Sequence, residues 1–411
     1  MKKCLFIILA VAVVTGMLLS SCGGTPATKS VTATATVTAT TTAQPKILKI
    51  AYFMSLSGFL SVYYVSQEAE VRAMADIYNE NGGITVGGQK YFIEMVGEDT
   101  ESSADGAAAG ATRLVYDKGV KFVVGPFGFE AAASTPIFEE NKVINVNTFP
   151  LWSPGELSKD TPYSFAGNAG AFGETLVLVR ALVSEYPNAK KVVLLAGDDG
   201  TAPFMEPKYQ VFMKDMGLTL LNDEHMVLFP QTIEDMSPIA AKVDLMKPDA
   251  VVEFGSQPAQ ASSFIKAFRA LGNNVPFVFA GGQGPQYMID ALGPTANDIL
   301  TTGVDPKYPG SDLHKELLAR TPWTGSSASV TNTLIMLLEV LKKSPSLDPD
   351  DVKATWESTS SIDGLFGPVT FGGTLLTGGL HNHVASYSVL VHRIKAGQSS
   401  VVGWVSSGPI P

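Results

Sequence analysis

The chain has 411 residues, 45% of them apolar and only 17% charged, with a formal net charge of -10. That supply of apolar side chains can bury one or two substantial cores and excludes a disordered chain. The acidic balance argues against nucleic acid or an anionic membrane as the main partner, because neither would be attracted electrostatically.

Lys2 and Lys3 precede an apolar run over residues 5–19, which is short for a membrane span and the right length for the core of a secretory signal. The run ends in Leu19-Ser20-Ser21-Cys22, a tetrad that resembles the lipobox of bacterial lipoproteins. The resemblance implies a signal peptide over residues 1–21 and a lipid on Cys22. The other cysteine, Cys4, lies inside the signal, so the mature chain is expected to hold no disulfide. Residues 22–45 are rich in Thr and Ala and read as a lipid-anchored, disordered linker, since they lack the large apolar side chains that offset ordering entropy.

Strand and helix then alternate. Residues 47–53 predict a strand, followed by the loop Ser55-Leu56-Ser57-Gly58 and a helix carrying Val71, Met74, Ala75 and Tyr78 that stops at Asn81-Gly82-Gly83. A strand over 91–96 leads into an alanine-rich helix over 103–118. Residues 121–125 form the next strand, the loop Gly125-Pro126-Phe127-Gly128-Phe129 ends where a helix over 130–140 begins, and 143–146 is a strand again. Backbone N–H groups at that helix start would face a small anion beyond the strand's carboxyl end.

The alternation restarts with a helix over 172–186 and a strand over 191–196 that ends at Gly197-Asp198-Asp199-Gly200-Thr201. Further strands are predicted at 219–228, 250–254 and 275–279, with helices near 207–216, 238–246 and 259–271. After a strand-like stretch at 299–304 come helices near 312–320, 327–342 and 347–357, then a glycine-punctuated tail with an exposed strand at 386–394. The fold class is α/β, with parallel sheets covered on both faces.

Several stretches, in this order and spacing, carry a resemblance: YNENGGITVGGQKYFIEMVGEDTESSADGAAAGATRLV, GVKFVVGPFG followed by STPIFEENKVINVN, KPDAVVEFG, FVFAGGQG and GLFGPVTFGG. Together they resemble the branched-chain amino-acid-binding group of solute-binding proteins of ABC transporters. The resemblance implies the type I periplasmic-binding-protein fold: two Rossmann-like lobes with parallel sheets, joined by three crossovers near Ala166, Thr302 and Gly367. Lobe one would be 46–166 with 303–366, and lobe two 167–302 with 367–411. The implied partners are a small-molecule ligand in the cleft, ABC permease subunits, and the membrane through the lipid anchor only, with no nucleic acid and no cofactor. A sensor or regulatory ectodomain on the same fold is the alternative.

Carried over by position, the ligand-binding set is Ser57, Phe127, Gly128, Phe129, Asn147, Thr148, Phe149 and Trp152 in lobe one, and Asp199, Thr201, Ser256 and Gln283 in lobe two. In the amino-acid binders, small polar side chains and backbone N–H groups hold the ligand carboxylate at the loops where this chain has phenyl rings. An acidic residue often neutralises the ligand ammonium where this chain has Gln283, with Asp198 or Asp199 nearby as substitutes. Burying an aromatic ring of about 150–250 Å² is worth about 4–6 kcal/mol gross, so apolar contact is expected to dominate affinity. A ligand with an anionic or strongly polar end and an apolar body follows, with aromatic acids preferred over leucine or valine.

Gly281-Gly282-Gln283-Gly284 lacks the spacing of a dinucleotide fingerprint. His381-Asn382-His383 has no acidic or cysteine cluster beside it and reads as a solvated turn rather than a metal site. With no nucleophile elbow or other catalytic motif, the chain is not expected to be an enzyme.

Overall fold

The computed structural model describes residues 44–411 except 65, 154, 199–201, 223–224, 282–283, 304, 323–328, 409 and 411. Cys22, Asp199, Thr201 and Gln283 lie outside the described residues. In chain order the first sheet receives β1 (Lys46–Met54), β2 (Ile84–Val86), β3 (Gln89–Asp99), β4 (Phe122–Val124), β5 (Ile144–Asn147) and β6 (Ser164–Ala166). Between them run α1 (Gln67–Glu80), α2 (Ala104–Thr112) and α3 (Gly128–Glu140).

The second sheet takes β7 (Lys191–Asp198), β8 (Thr219–Leu220), β9 (Val227–Pro230), β10 (Ala250–Phe254), β11 (Phe277–Ala280) and β12 (Ile299–Thr302). Its helices are α4 (Gly170–Glu185), α5 (Ala202–Asp215), α6 (Ser237–Leu245), α7 (Pro258–Ala270) and α8 (Pro285–Leu292). The chain then gives α9 (Asp312–Arg320), α10 (Val330–Leu341), α11 (Pro349–Ser358), β13 (Ser361–Gly364), β14 (Gly367–Gly372), the short α12 (Thr374–Thr377), β15 (Val384–Ser386), β16 (Ser388–Lys395) and β17 (Gln398–Ser406).

The spatial order of the first sheet is β13-β14-β15-β6-β5-β4-β1-β3-β2, and that of the second is β17-β16-β12-β11-β10-β7-β8, with β9 also on β7. The central pairs of both sheets are parallel, and the antiparallel pairs lie at their margins. Central parallel strands are buried on both faces, which is why β1 is apolar on both sides from Ile50 onward. Ile50, Tyr52 and Met54 join the core shared by both sheets, while Ala51 and Phe53 face a separate core with Ala107, Ala111 and Phe138 of α2 and α3. Gly110 on α2 lets that helix come close: a Cβ there would stand 2.8 Å from the Phe53 ring.

Three findings differ from the sequence reading. The stretch over 219–228 is two strands whose pairing with β7 shifts by four residues, and at the break the side-chain amide of Asn222 takes both backbone groups of Leu194: its Nδ2 donates to Leu194 O (3.0 Å) and its Oδ1 accepts from Leu194 N–H (3.1 Å). An apolar pattern cannot register a strand bond supplied by a side chain. The chain passes between sheets after Ala166 and after Thr302, but the third passage lies at Tyr387 rather than near Gly367, since β14 and β15 both pair within the first sheet. Finally, His383 is no part of a solvated turn. It is fully buried, stacked on Phe165 with ring centroids 4.1 Å apart, and its Nδ1 lies 2.7 Å from Ser164 O.

Another buried imidazole sets a pH response. Burial pushes His314 on α9 down from 6.5 to about 4. The unfolded chain takes up this proton as pH falls through 6.5, whereas the folded one resists until about 4. Between those values the unfolded state binds more protons, so stability should fall on acidification, with a slope of up to about 1.4 kcal/mol per pH unit from this group. Urea titrations of the wild type and of His314→Gln should show a flatter acid slope in the variant; equal slopes would refute the assignment.

Candidate functional site

The carboxyl ends of parallel strands leave a crevice where connections turn to either side. Here such ends from both sheets enclose one cavity of about 440 Å³, within the range of small-solute sites. The first sheet's side supplies Phe59, Leu60, Tyr63, Tyr64 and Gln67 after β1, Phe127 and Phe129 after β4, and Phe149 and Leu151 after β5. The second sheet's side supplies Ala171 and Glu174 of α4, Gln231 after β9, Gly255, Ser256 and Gln257 after β10, and Ala280 and Gly281 at the end of β11. A hydrogen bond from the Tyr63 hydroxyl to Gln257 Oε1, at 3.3 Å, spans the crevice.

The aromatic wall is held by backbone as well as by rings. Phe127 and Phe149 pair as an isolated parallel bridge, and Gly128 N–H donates to Phe149 O at 3.2 Å. Their rings are stacked with centroids 5.6 Å apart and planes nearly parallel, at 7°. Phe129 stacks on Phe59 at 6.3 Å. Gly128 has φ +36°, and a Cβ there would sit 2.5 Å from the Leu151 side chain, so the close approach of the two loops requires glycine.

Two buried carboxyls brace this wall from behind. Glu130, in the first turn of α3, accepts from the hydroxyls of Ser55 and Thr100 (2.6 Å for Thr100), tying together the ends of β1, β3 and β4. Burial pushes its carboxyl up, against the lowering effect of those two hydroxyls. Glu156 accepts from the backbone N–H groups of Leu151 (2.7 Å), Trp152 (3.1 Å) and Ser153 (3.3 Å), and from the Ser153 hydroxyl. Its carboxyl is likewise pushed up by burial, with the hydrogen bonds opposing. This turn holds Leu151 against the cavity and tolerates φ +65° at Trp152.

Of the expected contacts, Phe127, Phe129, Phe149 and Ser256 line the cavity. Gly128 supports it from the loop, with its N–H already given to Phe149 O rather than to an anion. The others are placed elsewhere. Ser57 donates to Asp99 Oδ2 at 2.7 Å on the exposed side of its loop. Burial pushes Asp99 up, but bonds from the Ser57 hydroxyl and from the N–H groups of Glu101, Leu56 and Ser57 outweigh it and hold the carboxyl below its usual range. Asn147 is buried behind the wall, accepting from Asn145 Nδ2 at 3.0 Å, and Thr148 N–H is given to Pro126 O. Trp152 packs in the core with its indole N–H donated to Ala169 O at 3.0 Å.

Sequence reasoning missed Phe59, Tyr63, Tyr64, Gln67, Leu151, Glu174, Gln231 and Gln257. The first three had a signal in the aromatic cluster that follows Leu56-Ser57-Gly58. Glu174 had none, because it sits among the buried apolar residues of α4. Its carboxylate is 5% exposed, accepts from the Thr302 hydroxyl and forms the acidic part of the cavity wall.

Among the described residues there is no cluster of three His, Cys, Asp or Glu that could hold a metal, and no helix long and apolar enough to cross a membrane.

A family model described as periplasmic binding protein matches residues 47–398. Among solved structures, the chain is similar to the leucine-binding protein LivK of Thermotoga maritima, at 20% identity and TM-score 0.66 over 87% of this chain and 98% of that one. It is similar to LivJ of Streptococcus pneumoniae in complex with isoleucine, at 21% identity and TM-score 0.64 over 87% and 100% of the two chains. A solute-binding protein of an ABC transporter from Rhodopseudomonas palustris in complex with p-hydroxybenzoic acid matches at 17% identity and TM-score 0.68, over 89% of this chain and 98% of that one.

Proposed function

The chain belongs to the periplasmic binding protein family, and on that premise we propose that it is the extracytoplasmic solute-binding lipoprotein of an ABC importer. It captures a small carboxylate-type or amino-acid-like solute with an aromatic or branched body between two lobes and presents it to permease subunits, binding the solute without transforming it. The observation that carries this reading is the cavity itself: walls from both sheets, six aromatic rings on one side, and a hydrogen bond from Tyr63 to Gln257 across the gap. A ligand touching both walls favours the closed arrangement by its differential contacts. The relatives complexed with isoleucine and p-hydroxybenzoic acid support a small solute with an apolar body. Cys22, after its short apolar run, would carry the anchoring lipid.

Native mass spectrometry of the purified protein should reveal a co-purified small molecule, and adding that molecule back to stripped protein should shrink the radius of gyration in solution scattering. No bound molecule and an unchanged radius across a panel of amino acids and aromatic acids would sink the proposal. Cys22→Ala should release the protein from the membrane fraction, whereas a processed variant that stays membrane-bound would refute the lipid anchor.

A further inference from the structure

Glu253 lies one layer behind the cavity wall, on β10 in the middle of the second sheet. It is fully buried, three residues before Ser256, which lines the cavity. Its in-register neighbours are Leu195 on β7 and Phe279 on β11, and residues paired in this way point to the same face of a parallel sheet. That face is the apolar core holding Leu195, Phe229, Phe264 and Phe279, while Val252 and Phe254 point the other way, into the core shared by both sheets.

A carboxylate in this place would be poorly supported. Glu156 accepts from three backbone N–H groups and a hydroxyl, and Glu130 from two hydroxyls. The Glu253 carboxyl meets only the Ser256 hydroxyl, and its Oε2 finds no partner among the described residues. Burial pushes it well above the usual carboxylate range, and among the described residues no charged group on the surrounding strands and helices opposes that. A protonated carboxyl carries one O–H donor, and a buried donor left unpaired is costly. The oxygen within its reach is Ser256 Oγ. Once that oxygen accepts from the acid, the Ser256 hydrogen is released from the core and can turn to the cavity.

We propose that Glu253 is held protonated and donates to Ser256 Oγ, which makes the Ser256 hydroxyl a donor for a carbonyl or carboxylate oxygen on the polar end of the solute. The assignment rests on the solute-binding reading above. Glu253 touches no solute and acts as a positioning residue, fixing the direction of the Ser256 O–H bond. An ionised Glu253 would do the reverse, taking the Ser256 hydrogen and leaving only lone pairs toward the cavity. The head-group preference of this wall is thus set by a proton buried behind it. Hydrogen bonds in series strengthen one another, so an oxygen held by Ser256 also draws on the acid. Ser256 stands two residues before α7, where the helix dipole likewise favours an acceptor.

Infrared difference spectra of the full chain, wild type minus Glu253→Gln at neutral pH, should contain the carbonyl stretch of a protonated carboxylic acid. Benzoate, phenylalanine and acetophenone each carry an acceptor oxygen on an aromatic body; at least one should bind the stripped protein in calorimetry and displace that band. Ser256→Ala should weaken that probe by about tenfold and abolish the displacement, while Ser256→Thr, which keeps the hydroxyl, should stay within about threefold of the wild type. If Glu253→Gln does not fold, a band that moves between wild type and Ser256→Ala gives the same information. A merely structural Glu253 would leave the band indifferent to the probe. Absence of the band, a band that ignores a bound probe, undiminished binding in Ser256→Ala, or no binding of any of the three probes overturns the assignment. A co-purified solute seen by native mass spectrometry would in each of those cases keep the solute-binding reading standing, and its absence, with an unchanged radius of gyration, would sink that too.

Discussion

Phe149→Ala should weaken solute capture by about 30- to 150-fold while leaving the fold intact. The Phe149 ring forms a plate with Phe127 on the cavity wall, and a solute covering about half of a ring of 150–250 Å² gains roughly 2–3 kcal/mol from it at about 25 cal/mol per Å². The backbone bond from Gly128 N–H to Phe149 O and the bridge to Phe127 do not depend on the side chain, so the loop keeps its course. Calorimetry with the solute recovered from the purified protein measures the loss. A change below about threefold, with circular dichroism unaltered, would show that the ring does not contact the solute.

The largest effect on stability is expected at Trp356 of α11, which is not part of the cavity lining. Its indole is fully buried, stacked on Phe165 at 4.3 Å and set edgewise to Phe371 at 5.6 Å. Phe165 in turn stacks on His383, so Trp356→Ala would open a void at the end of a three-ring column and should cost about 3–5 kcal/mol. Trp356→Phe makes a sharper comparison. The indole N–H is buried and finds no acceptor among the described residues, and removing such a donor recovers part of its desolvation cost, about 1–3 kcal/mol. The phenylalanine variant should therefore lose less than about 2 kcal/mol in urea titrations despite its smaller volume. Equal losses for the two variants would show that ring stacking contributes little there.

The fold was legible because its strands are buried on both faces and its helices start and stop on polar or glycine signals. β10 follows the apolar run over 250–254 residue for residue, and α9 the helix expected at 312–320. The aromatic half of the site was partly legible for a related reason: Phe127, Phe129 and Phe149 sit just beyond strand ends, where a parallel sheet turns its loops toward the crevice. What was hidden depends on contacts between distant stretches. Trp152 belongs to the same loop cluster, but its left-handed backbone, fixed by Glu156, turns the indole toward Ala169 instead. Glu174 lies in a helix buried nearly all round, so periodicity offers no polar face from which to single it out. Gln257 meets Tyr63 only because β10 and the segment after β1 end at the same crevice, 194 residues apart in sequence.

The break between β8 and β9, where the Asn222 amide stands in for backbone, bears on how copies of the protein meet. An uninterrupted strand over 219–228 would give the second sheet a long free margin, with a row of open backbone donors and acceptors ready to recruit a strand from a neighbour. The shift in pairing, bridged by the amide, divides that margin into segments of two and four residues, too short to template a stable intermolecular ladder. Neighbouring copies would thus find no long strand edge to zip onto along that side of the second sheet.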